Sequence, residues 1–148
     1  MLCHSNEWND VSGDWTFDEH CILQQTATTS LHNGKIWIGS ADGLTPDSHY
    51  DSANEFIFET TLKIESGDQV GVLFRVNDIN SSLDGANAYF FGLNAPGDRA
   101  FLGIINGGWT LVFDEPYTVN IGTIYTLKVI ATSPGYYDFY VSDFCDLC

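Results

Sequence analysis

The sequence predicts an all-β protein folded as a two-sheet antiparallel sandwich. Three observations carry this expectation. Residues 55–64 and 69–76 alternate apolar and polar side chains with a period of two. Short apolar runs recur between clusters of Gly, Pro, Asn and Asp, the residues that turn a chain. No stretch of useful length keeps a helical period. Four Trp, seven Tyr and ten Phe among 148 residues supply large buried areas for such a core. A chain of this length can bury about 70% of the surface its unfolded form exposes, enough for one domain.

Taken in order, residues 1–11 read as an N-terminal arm ahead of a single sandwich domain over 12–148. Residues 15–25 are expected to hold one or two short strands and residues 36–39 another, followed by a polar, turn-rich loop over 42–54. In the next strand Phe56, Phe58, Thr60, Leu62 and Ile64 face one side, with Glu55, Ile57, Glu59, Thr61 and Lys63 on the other. Ser66-Gly67-Asp68 suits a three-residue hairpin loop. Closing it pairs Ile64 with Val70, Leu62 with Val72 and Thr60 with Phe74, and sets Glu59 opposite Arg75. A third strand is read over 87–93. Residues 101–105 and 109–113 flank Asn106-Gly107, a strong hairpin signal. Residues 123–131 turn back through Ser133-Pro134-Gly135 into 136–141. In these last strands Tyr125, Leu127, Val129, Tyr137, Phe139 and Val141 point inward.

The formal charge of −15, from 20 acidic and 5 basic residues, disfavours nucleic acid and anionic lipid, whose phosphates need clustered Lys and Arg. It suits solubility, divalent cations or neutral partners such as glycans. No run approaches the roughly 18–20 apolar residues of a membrane span, so no membrane insertion is expected. Met1-Leu2-Cys3-His4 lacks the basic and apolar regions of a signal peptide. Cys3, Cys21, Cys145 and Cys148 sit at the two ends of the chain and read as two disulfides tying down the termini, with three connectivities open. A zinc site built on Cys145 and Cys148 with Cys21, Cys3 or His20 is the rival. Asn80-Ser81-Ser82 is a glycosylation sequon. Together these features point to a secreted or cell-surface protein.

Several stretches resemble, in order, the strands of concanavalin-A-like, laminin-G-like jelly rolls. Ser12 to Gln25 is similar to the opening G-x-W-x-V-x-D-G-x-L-x-Q of that group. Phe56 to Ile64 resembles its F-x-x-E-x-x-x-x-I strand, Gly71-Val72-Leu73-Phe74-Arg75 its G-x-x-F-R strand, and Tyr89 to Leu93 its Y-x-x-x-L. Gly107-Gly108-Trp109, Tyr125 to Val129 and Asp138 to Val141 continue the series, so the likeness spans about residues 12–143. It implies a jelly-roll sandwich similar to levan-type carbohydrate-binding modules, with lectin-like domains and sugar hydrolases among the relatives. Cys21 and Cys145 stand where relatives tend to carry a turn glycine. Relatives also run on for one or two strands past the stretch matching Tyr140-Val141, so the sandwich is expected to lack a closing C-terminal strand.

The ligand-binding candidates are Glu59 and Arg75, side by side on an open sheet face, where charged groups suit sugar hydroxyls. Tyr89 is expected to share that face, with Trp37 or Tyr50 as a stacking surface beside it. The plain alternatives are an exposed cross-strand ion pair and ordinary packing. Trp109 is read as core through its alternation with Leu111, and Trp8 and Trp15 as packing anchors. No cofactor is expected. Calcium is a further candidate ion, at loop carboxylates Asp42, Asp47 and Asp84, although Asp78-x-Asn80-x-Ser82 fails the EF-hand template. Catalysis finds little support. The laminarinase-type E-x-D-x-x-E strand is absent, Asp114-Glu115 is read as a turn, and no G-x-S-x-G, H-E-x-x-H or phosphate loop occurs. Two functions follow. One is a non-catalytic extracellular module binding polysaccharide or glycoprotein glycans. The other is a structural subunit of a fibre or surface layer, a homo-polymer in which Leu2–Asp10 donates a strand to its neighbour's edge.

Overall fold

The computed structural model describes residues 8–12, 14–26, 35–38, 55–79, 86–133 and 135–143, with the backbone alone at 8–12, 35–38, 77–79, 86 and 133. Eleven strands occupy them: β1 (Trp8–Ser12), β2 (Trp15–Phe17), β3 (Leu23–Gln25), β4 (Lys35–Ile38), β5 (Phe56–Lys63), β6 (Gln69–Ile79), β7 (Ala86–Asn94), β8 (Arg99–Asn106), β9 (Trp109–Pro116), β10 (Ile124–Ser133) and β11 (Tyr136–Asp143). No helix occurs among the described residues. Two compact units are distinguished. One joins Met1–Asp51 with Arg75–Ala88 and Ile105–Trp109, the other Ser52–Phe74 with Tyr89–Ile104 and Thr110–Cys148.

In the first unit β1 pairs antiparallel with β4, Trp8 opposite Ile38 and Asn9 opposite Trp37. Residues 8–11 are therefore hydrogen-bonded strand and not part of a free arm. This matters for strand donation, which required that stretch not to fold back. β2 and β3 form a short hairpin with Trp15 opposite Gln25 and Phe17 opposite Leu23. Its turn is organised by one carboxylate. Asp18 Oδ1 accepts hydrogen bonds from the backbone N–H groups of His20 (2.8 Å) and Ile22 (2.9 Å), and Oδ2 accepts from Gln24 Nε2 (3.2 Å). These bonds, that from Ile22 foremost, hold the Asp18 carboxyl below its ordinary pKa. Cys21, at φ 63°, completes the turn with its N–H on Asp18 O (3.0 Å).

The second unit is the sandwich. One sheet runs in the order β11-β10-β5, and the other in the order β6-β7-β8-β9. Both sheets turn their alternating apolar rows inward. Tyr125, Leu127 and Val129 of β10 are wholly buried, and Phe74, Phe91, Leu93 and Leu102 of the facing sheet pack in the same cluster. Phe139 and Tyr137 of β11 close over it against Phe91 (4.8 Å) and Phe74 (5.5 Å). Phe58, expected inside, is 40% exposed because β5 is the outer strand of its sheet among the described residues. Leu111 and Trp109 are likewise exposed (48% and 43%) on β9, the last strand of the other sheet, and are not core.

The expected β5–β6 hairpin does not form. β5 pairs with β10 instead, Glu59 opposite Lys128 and Leu62 opposite Tyr125, while β6 lies in the other sheet. The segment after β5 is thus an arch from one layer to the other. The apolar rows of the two strands do meet, but across the core: Phe56 contacts Phe74 edge to face at 6.3 Å. The hairpins β8–β9 at Asn106-Gly107 and β10–β11 at Gly135 are formed.

A second crossing, Tyr117 to Thr123, carries the chain from β9 to β10. Its backbone is closely satisfied. The N–H groups of Tyr117 and Val119 donate to Asp98 O and Asp98 Oδ1 (both 2.9 Å), that of Asn120 to the buried Tyr125 hydroxyl (2.6 Å), and that of Gly122 to Ile64 O (2.8 Å). The Tyr117 hydroxyl donates to the Asp143 carboxylate at the end of β11. Burial, with that bond, raises the Tyr117 pKa well above the ordinary tyrosine value.

Candidate functional site

Because side chains alternate along β5, β10 and β11, the residues that turn away from the core share one outer face. The register arranges these residues in rows across the sheet. Glu59, Lys128 and Tyr140 form one row, Ile57, Ile130 and Asp138 the next, and Thr61, Thr126 and Ser142 a third. Lys128 Nζ lies 3.1 Å from Glu59 Oε2. With their side chains 34% and 54% exposed, the pair is worth under about 1 kcal/mol to the fold, so its donors and acceptors remain usable by a ligand. Tyr140 is 52% exposed and Tyr136, four residues earlier on the same face, 71%. Large open aromatic rings beside a hydrated ion pair and a row of hydroxyls can take an amphipathic partner: an apolar face on the rings and polar groups on the edge.

Of the residues singled out from sequence, Glu59 stands on this face and its partner is Lys128, not Arg75. Arg75 lies on β6 in the other sheet, half-buried, with a left-handed backbone at φ 53°. Tyr89 is not an outer-face residue. Its ring stacks on Phe74 at 5.3 Å and lies 5.7 Å from Tyr137, on the core side. Trp37 is placed as backbone in β4 opposite Asn9. Tyr50, the calcium candidates Asp42, Asp47 and Asp84, the sequon residue Asn80, and Cys3, Cys145 and Cys148 lie outside the described residues. Among the described residues no group of His, Cys, Asp or Glu is placed to hold a metal ion. Asp114, read as part of a turn, lies within β9 and pairs with Arg99 at 2.6 Å.

Sequence reasoning missed Lys128, Tyr136 and Tyr140. The alternation of β11 already implied that Tyr136 and Tyr140 point out, since Tyr137 and Phe139 point in. What it could not supply was strand order, which brings β11 and β10 beside Glu59.

Compared with solved structures, the chain superposes on the carbohydrate binding module CBM66 from Bacillus subtilis with a TM-score of 0.69, covering 93% of this chain and 74% of that one. The fold is a jelly-roll sandwich. At 19% identity the likeness is one of architecture. No family model and no curated protein matches the sequence. The jelly roll accounts for the departure from a β5–β6 hairpin, because its chain passes back and forth between two layers. Among the described residues no helix is long and apolar enough to cross a membrane.

Proposed function

We propose that this chain is a non-catalytic, extracellular carbohydrate-binding module that holds its glycan on the outer face of β5, β10 and β11. The observation that carries the reading is the row Glu59–Lys128–Tyr140, a half-open aromatic ring in register with an exposed ion pair on the outer face of the sheet. The fold shared with a carbohydrate-binding module supports it. So does the charge of −15, which leaves neutral glycans among the partners that are not repelled. Four cysteines near the two ends of the chain, read as a pair of disulfides, support an oxidising, extracellular setting.

Glycan contact comes from Tyr140 stacking on the apolar face of a sugar ring, while Glu59 accepts from and Lys128 donates to its hydroxyls. Affinity electrophoresis through gels containing levan, inulin, laminarin, xylan or galactomannan tests this. The wild-type protein is retarded in at least one gel. Tyr140→Ala, which truncates a partly exposed anchor, weakens retention by about 30-fold, as expected for an aromatic hot spot. Unretarded migration of the wild-type protein in every gel refutes the function.

A further inference from the structure

Resting on that reading, we infer the ligand class and its pose: an extended, uncharged polysaccharide chain lying along β11 across Tyr136 and Tyr140, and neither a single terminal sugar nor a polyanionic glycan. Tyr136 and Tyr140 share the outer face and are separated by four residues of an antiparallel strand, about 14 Å at roughly 3.4 Å per residue. One sugar ring cannot cover both. Both rings are open to solvent, at 71% and 52%, so neither is claimed by packing. Between them on the same face stands Asp138, exposed and in register with Ile130 and Ile57, the last of which is 67% exposed. A chain laid over this line meets ring, carboxylate and ring in turn, with an apolar row alongside at Ile130 and Ile57.

The charges select against polyanions. The face carries Lys63 and Lys128, and each is already matched by a carboxylate, Glu65 and Glu59. Asp138 adds a negative charge where the chain passes, and the whole protein stands at −15. Uronate or sulfate groups would meet repulsion there without an unmatched lysine to answer it. A neutral chain meets no such repulsion, and its hydroxyls can donate to the Asp138 carboxylate between the two rings.

The test uses the intact chain and two panels: neutral polysaccharides (levan, inulin, laminarin, xylan, galactomannan) and the anionic polygalacturonate and alginate. Titration calorimetry then follows the mono-, di-, tetra- and hexasaccharide of whichever polymer is retained. Affinity is expected to rise steeply with length. Tyr136→Ala lowers the hexasaccharide affinity about tenfold, a loss equal to one aromatic contact, and flattens the rise of affinity with chain length. Its urea midpoint stays at the wild-type value, because the side chain is exposed. Raising Asp138→Lys brings polygalacturonate into the retained set. A monosaccharide bound as tightly as the polymer overturns the inference, as does polymer binding indifferent to Tyr136→Ala, or wild-type retention by polygalacturonate as strong as by any neutral polymer. In each of those cases glycan binding itself stands. Absence of retention by every polymer overturns that reading and the inference with it.

Discussion

Replacing Tyr125 with Phe removes a single oxygen from the centre of the sandwich. Tyr125 is wholly buried, and its hydroxyl is the acceptor for the Asn120 N–H at 2.6 Å in the crossing between β9 and β10. The phenyl ring fills the same space, so no cavity opens. The change reduces to one partly buried N–H left without its acceptor, a loss of about 1–3 kcal/mol. For a domain of this size each kcal/mol moves the melting temperature by about 3 °C, so Tyr125→Phe should melt roughly 3–9 °C lower. Urea unfolding should show a lower midpoint with an unchanged slope, since no additional surface is exposed in the folded state. Hydrogen exchange gives the local readout: the Asn120 amide should lose protection while the amides of Leu127 and Val129 keep theirs relative to global stability. Tyr125→Ala, which also leaves a void, should lose about 3–5 kcal/mol. A wild-type midpoint together with a still-protected Asn120 amide would refute the role assigned to the hydroxyl.

Four further outcomes follow from other parts of the molecule. A Cβ at Gly92 would lie 2.6 Å from Val70 O and 2.5 Å from the Phe90 ring, so Gly92→Ala should destabilise by about 1–3 kcal/mol in urea melts. Gly108→Ala, with nothing within 4 Å, should be near neutral. A double-mutant cycle on Glu59→Gln and Lys128→Met should return a coupling of under about 1 kcal/mol that fades in high salt, and zero coupling at low salt would argue against the β5–β10 register. The Asp18 carboxyl has a pKa depressed on folding, so its stabilisation is present above its unfolded value, near 4, and is lost as pH falls through the folded value. Acid titration by NMR should therefore shift the His20 and Ile22 amides below about pH 4, and Asp18→Asn should abolish that step.

Strand identity was legible because period-two alternation reports on each strand alone. Tyr125, Leu127 and Val129 were expected inward and are wholly buried. Pairing was less legible. Apolar rows on β5 and β6 match equally well as neighbours within one sheet or as opposite walls of a core, and Phe56 against Phe74 shows the second arrangement. The Glu59–Arg75 pair rested on the first, so it fell with it. Tyr89 followed the same logic: its place in the strand was right, but its parity turned it to Phe74 and Tyr137. Phe58, Trp109 and Leu111 have core-like patterns on outermost strands, where half of the covering neighbours are missing among the described residues.

The arch after β5 also fixes the sequence of events during synthesis. Lys63 must wait for Ile124, and Phe56 for Ala131, before either finds its hydrogen-bonding partner. Meanwhile β6 to β9 can already zip into a sheet through neighbours close in the chain. A ribosome therefore releases a half-built layer whose apolar side stays wet until β10 emerges, and folding is slow and late by geometry. For as long as that interval lasts, the inner surface of β5 is the stretch a chaperone would find.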